Sequence, residues 1–263
     1  MNQESRMERG YKILREVDGG AGEEVTNSLD EISPDLSRYI VEYAFGDIYS
    51  RSGLDLKSKE IAVVAALTAL GNAVPQLKVH LNGALNVGCT INEIKEVILQ
   101  MSSYSGFPTC INAMNEFKDV LIERKNQGHD DCLGDPPTNK KTDNTEKYEV
   151  GVKELSKLDS MQVEKLEKEY KDFCPDLTYL VINSYAEIFS RNNLDIKYRQ
   201  IATIAALAAL GNARAQLKFH ISAGLNIGIT ADEIKEIMLL LTVFSGFPSS
   251  INGINVLREV TKC

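Results

Sequence analysis

A chain of 263 residues, 25% charged and 43% apolar, is long enough for one large domain or two of ordinary size. With 37 acidic against 29 basic residues, a formal net charge of −8 and no Lys/Arg block, it has no electrostatic footprint for nucleic acid, and the same sign disfavours an anionic membrane surface. The polar residues 1–10 and the shortness of the longest apolar run, residues 61–70, encode neither export nor membrane insertion, so a cytoplasmic location is expected.

Taken in chain order, the elements read as helices. Residues 61–70 are apolar nearly all round and mostly small, as expected of a helix buried at the centre, and Gly71 supplies its stop. Leu77, Leu81, Ala84 and Leu85 form an apolar stripe that ends near Gly88. Thr90 and Glu93 have the spacing of a capping box, opening a helix that carries Ile94, Val97, Ile98 and Met101. Gly106-Phe107-Pro108 breaks that helix and starts the next, because proline is tolerated in a first turn. Residues 126–146, polar and containing Pro136-Pro137, read as a linker.

Beyond the linker the series begins again. Residues 50–115 align without a gap on residues 190–255 at an offset of 140, with 35 of 66 positions identical. Upstream the match continues at an offset of 141, through Pro34-Asp35-Leu36 against Pro175-Asp176-Leu177 and, more faintly, Gly10 against Gly151. A period this long is a duplicated small domain, not a solenoid repeat. No stretch shows sustained strand alternation, so the expectation is all-α: a first copy over residues 1–125, a linker over 126–146 and a second copy over 147–263.

Five cysteines, Cys89, Cys110, Cys132, Cys174 and Cys263, are odd in number and never form C-x-x-C, which argues against a disulfide framework and a zinc site. Of three histidines, His80 and His220 occupy equivalent places, each one turn after a glutamine, Gln76 or Gln216, so that amide and imidazole share one edge of a helix. That edge suits either a general acid or base lining a pocket or a partly buried ring bracing two helices.

Glu93 and Glu233 have a sufficient role in capping, whereas Glu96 and Glu236 are either site carboxylates or solvated helix charges. Glu60 ranks low because its counterpart is Gln200. Arg51 and Asp55, repeated as Arg191 and Asp195, suit a local ion pair better than a substrate clamp, although an anionic substrate would want the arginine. Asn112 and Asn115, with Asn252 and Asn255, are expected as buried amides at a helix end. No Walker loop, dinucleotide fingerprint, nucleophile elbow or H-E-x-x-H occurs, which gives no support to a nucleotide cofactor or a catalytic metal.

The ordered series Ser50-Arg51 to Asp55, Lys59-Glu60-Ile61-Ala62, Gln76 to His80, Ala84 to Gly88, Thr90 to Glu96 and Tyr104 to Pro108, with its second occurrence, resembles the carboxymuconolactone decarboxylase family. The resemblance implies two tandem helical domains of the alkylhydroperoxidase D-like fold and a homo-oligomer, a trimer of two-domain chains completing a ring of six. It also implies His80 and His220 as catalytic proton donors or oxyanion partners, and Gln76, Gln216, Arg51, Arg191, Glu96 and Glu236 as substrate-binding candidates. The peroxidase branch of the fold places a C-x-x-C pair where this chain has Ala73 and Gln76, and Ala213 and Gln216, so thiol chemistry lacks its sulfurs there. The chain resembles the decarboxylase branch better, which lacks the pair and keeps the histidine, and that resemblance implies cofactor-free loss of carbon dioxide from a small carboxylated lactone or related organic acid. The alternatives are an antioxidant homologue without the thiol pair and a non-catalytic helical assembly or small-molecule-binding protein.

Overall fold

A computed structural model describes residues 4–138 and 144–261, and among them every regular element is helical. The first copy runs α1 (Arg6–Asp18), α2 (Gly20–Asp30), α3 (Pro34–Tyr39) continued by π-helical turns (Ile40–Tyr49), α4 (Leu56–Leu70), α5 (Val74–Asn86), α6 (Ile91–Met101) and α7 (Phe107–Asn126). The second repeats that order as α8 (Asn144–Leu158), α9 (Gln162–Tyr170), α10 (Pro175–Ser184) with π-helical turns (Tyr185–Phe189), α11 (Ile196–Leu210), α12 (Arg214–Asn226), α13 (Ala231–Phe244) and α14 (Gly246–Thr261). Among the described residues no helix is long and apolar enough to cross a membrane.

Local chemistry sets the helix ends. Asp55 caps α4 by accepting from the Ser58 amide at 2.9 Å, and so does not make the expected ion pair with Arg51. Gly71 and Gly211 end α4 and α11 in the left-handed region, at φ of 66° and 68°. Both expected capping boxes form, Thr90 with Glu93 and Thr230 with Glu233. The faint upstream match has a steric cause: a Cβ at Gly10 would lie 2.1 Å from the Val41 carbonyl oxygen, and one at Gly151 2.1 Å from that of Ile182. In each copy the first helix therefore crosses its neighbour backbone to backbone, where only glycine fits.

The apolar helices α4 and α11 pack against each other at the centre, and one continuous apolar cluster runs from Leu14 through Leu81 and Met101 to Leu217 and Met238. Helix α6 also packs on α11, and α13 on α4, so each copy borrows a wall from the other. Fully burying one Leu, Ile or Val is worth about 1.5–3 kcal/mol, and parting the copies would expose several at once. That loss is comparable with the roughly 5–15 kcal/mol that holds a whole domain together. The two copies thus share one main core, and the second copy adds a smaller cluster of its own around Leu155, Ile182 and Tyr185.

The segment after α7 is docked, not free. The Ile91 and Asn92 amides at the start of α6 donate to the carbonyls of Cys132 and Leu133 at 2.9 and 3.0 Å, and Arg124 forms a two-pronged pair with Asp131. Residues 139–143 of the expected linker lie outside the described residues, and α8 begins inside its predicted end.

Candidate active site

Helix α4 is apolar nearly all round, so a polar side chain on it must find a buried partner. Glu60, with no exposed surface, finds His80 on α5: its Oε2 lies 3.0 Å and its Oε1 3.3 Å from the imidazole Nδ1. The Tyr49 hydroxyl, carried on the π-helical turns, donates to Glu60 Oε1 at 2.8 Å. A second carboxyl, that of Asp18 at the end of α1, is 7% exposed, and its Oδ1 has no hydrogen-bond partner. A Cβ at Gly83 would lie 3.0 Å from Glu60 Oε2 and 3.2 Å from Asp18 Oδ1, so the absent side chain leaves room for both carboxyls. Phe244 from α13 closes the group, its ring edge-on to His80 with centroids 4.8 Å apart.

These surroundings decide protonation. Burial alone would depress the His80 pKa, but the charge and hydrogen bond of Glu60 outweigh it, so the imidazole titrates above its ordinary value. Burial pushes the Asp18 carboxyl up to about 7, against the pull of the His80 charge. The first copy therefore sets an imidazole of raised pKa against the buried Glu60 carboxyl, with a second acid that titrates near 7 close by.

The equivalent place in the second copy is uncharged. Gln200 stands for Glu60, and its Oε1 accepts from His220 Nδ1–H at 2.9 Å. Phe189 stands for Tyr49 and Ala223 for Gly83. Asp159, the counterpart of Asp18, instead accepts from the Met161 amide at 2.9 Å and from Lys165 at 2.7 Å. With no neighbouring charge to offset burial, the His220 pKa falls to about 3. Its Nε2 faces the Tyr104 hydroxyl of the first copy at 3.3 Å, and a cavity of about 450 Å³ adjoins the ring, lined also by Gln216.

The remaining candidate residues are brought together elsewhere, as clamps between the copies. Arg51 forms a two-pronged pair with Glu236 at 2.7 Å, while Glu96 bridges Arg191 at 2.6 Å and the fully buried Arg199 at 3.0 Å. None of Arg191, Glu96 and Arg199 lines the His220 cavity. Lys59, the counterpart of Arg199, donates to the Tyr49 and Arg51 carbonyls, and burial lowers its pKa to about 8. Gln76 and Gln216 are exposed, as are Asn112, Asn115 and Asn252, so the expected buried amides at that helix end do not occur. Cys89 and Cys110 are buried and unpaired; burial pushes the Cys89 thiol up to about 12, which leaves it inert as a nucleophile. Cys263 lies outside the described residues.

The carboxymuconolactone decarboxylase family model matches residues 34–119 and again residues 175–259. The chain belongs to that family. It is 34% identical over 125 residues to the 4-carboxymuconolactone decarboxylase of Acinetobacter baylyi, a span covering 46% of this chain and 90% of the relative. It is also 34% identical over 110 residues to the nitrosuccinic acid decarboxylase of Metarhizium robertsii, covering 41% of this chain and 75% of that one. In fold it follows a chain assigned as a gamma-carboxymuconolactone decarboxylase subunit from Burkholderia xenovorans, with a TM-score of 0.60 at 20% identity over 99% of both chains. Asp18 falls outside both family segments, and the first copy's site is completed by it.

Proposed function

We propose that this member of the family is a decarboxylase whose proton-transfer centre is the His80–Glu60 pair, acting without a cofactor on a small carboxylated lactone or related organic acid. The observation that carries the reading is the 3.0 Å contact between His80 Nδ1 and Glu60, buried where the carboxyl raises the pKa of the ring. Two relatives named as decarboxylases support the reaction class.

In this reaction the bond between carbon and the substrate carboxylate breaks, carbon dioxide leaves, and the electron pair moves into the conjugated carbonyl to give a dienolate. His80 then delivers its Nε2 proton to carbon, and Glu60 stabilises the imidazolium until that step. Asp18, titrating near 7, is a second buried acid next to the pair. The His80 side chain stays 8% accessible. His220 is not given the same role: at a pKa of about 3 it has no proton to deliver at neutral pH, and its one N–H is committed to Gln200.

Carbon dioxide release from a panel of small carboxylated lactones tests the proposal, with Lys78→Ala on the exposed side of α5 as the control. Turnover is expected to fall by about 10²-fold or more in His80→Gln and in Glu60→Gln, in line with general acid catalysis. Full turnover in His80→Gln would overturn it.

A further inference from the structure

The cavity beside His220 has a different chemistry from the proton-transfer centre. Five aromatic side chains, Tyr104, Tyr170, Tyr185, Phe189 and Phe219, wall it together with the imidazole. Among the described residues that line it there is no lysine or arginine, and its one carboxylate is Glu169. An anion entering this space would lose its hydration and meet no cation in return. The polar groups at the inner end are also neutral: burial raises the pKa of the Tyr104 and Tyr185 phenols, and it keeps His220 deprotonated.

The hydrogen-bond inventory narrows the ligand further. Because His220 Nδ1–H is held by Gln200 at 2.9 Å, Nε2 is an acceptor, and its present donor, the Tyr104 hydroxyl, is at the long distance of 3.3 Å. A ligand that fits is flat enough for aromatic walls, carries no negative charge and offers one O–H. A volume of about 450 Å³ suits a molecule of one or two rings.

We propose that this cavity is a binding site for a neutral phenol, whose hydroxyl donates to His220 Nε2 and whose ring packs between Tyr185, Phe189 and Phe219. The site is built around His220 and contains neither His80 nor Glu60, so its occupancy is tested independently of whether the His80 centre releases carbon dioxide.

Calorimetric titration of the full chain at pH 7 with 4-propylphenol, 4-propylanisole and 4-propylbenzoate tests each element of the claim. The phenol is expected to bind, with the anisole, which lacks the donor, and the benzoate, which is anionic, each at least 10-fold weaker. In His220→Phe the preference for phenol over anisole is expected to vanish. Tyr104→Phe removes the internal donor and keeps the ring, so phenol binding there is expected to match or exceed the wild type, which tests the acceptor without touching the imidazole. Benzoate or anisole binding as tightly as the phenol, no binding by any of the three, or a 10-fold loss of phenol affinity in Tyr104→Phe would overturn the proposal.

Discussion

Around His80 there are two carboxyls and a tyrosine hydroxyl aimed at one of them; around His220, at the same place on the repeated scaffold, there are an amide, two neutral phenols and an open cavity. The helices, caps and glycine crossings that position the two rings are the same. What differs is a handful of side chains: Glu60 against Gln200, Tyr49 against Phe189, Gly83 against Ala223, and an Asp18 turned inward against an Asp159 turned to its own loop. Duplication with a shared core lets one copy keep carboxyls around its ring while the other keeps space, and each ring also has a wall from the opposite copy, Phe244 for His80 and Tyr104 for His220.

The largest way to break the comparison is through the clamps. Glu96→Ala leaves Arg199, 2% exposed, without its carboxylate, and a drop in unfolding free energy of about 3–5 kcal/mol is expected by urea denaturation. The matching Glu236→Ala takes the hydrogen-bonded carboxylate from Arg51, whose side chain is 45% exposed, and a more distant charge from Lys59, and is expected to cost less, about 1 kcal/mol. Equal losses would mean that the two clamps are equivalent despite their different burial.

A smaller change sharpens the contrast between the two rings. Gly83→Ala writes the second copy's residue into the first and sets a methyl 3.0 Å from Glu60 Oε2 and from a methyl of Val17. The expected result is about 1–3 kcal/mol of destabilisation together with slower carbon dioxide release, whereas the reverse change Ala223→Gly leaves the first copy's kinetics untouched.

Acid stability reports on the second ring. The folded value of about 3 for His220 lies below its unfolded value near 6.5, so the native state binds fewer protons. Its contribution is full above pH 6.5 and is lost as the pH falls toward 3, at up to about 1.4 kcal/mol per pH unit. The gap in stability between wild type and His220→Phe is therefore expected to narrow by that slope below pH 6.5, read from urea midpoints across the range.

The all-helical fold was legible because its signals are local: the capping boxes, Gly71 and Gly211, and the Gly-Phe-Pro breaks all act within one turn of the residues that carry them. The duplication likewise needs only self-comparison. The partners of the histidines were less accessible, because Glu60 lies 20 positions from His80 and Asp18 still further away, and a sequence does not say which buried groups meet. Ranking Glu60 low on account of Gln200 assumed that both copies share one chemistry. The better signal was available: a carboxylate on a helix apolar all round has to be neutralised from inside. Arg51, Arg191, Glu96 and Glu236 recur in both copies because each pair crosses from one copy to the other, a relation that alignment of the copies conceals.

The direct test of divergent rings on a common frame is a histidine titration by two-dimensional NMR between pH 4 and 9, with the resonances assigned through His80→Gln and His220→Gln. One buried ring is predicted to change protonation above 6.5, and the other to remain neutral down to the lowest pH measured. Two buried rings that titrate together near 6.5 would contradict the assignment of proton chemistry to the first copy and of a neutral cavity to the second.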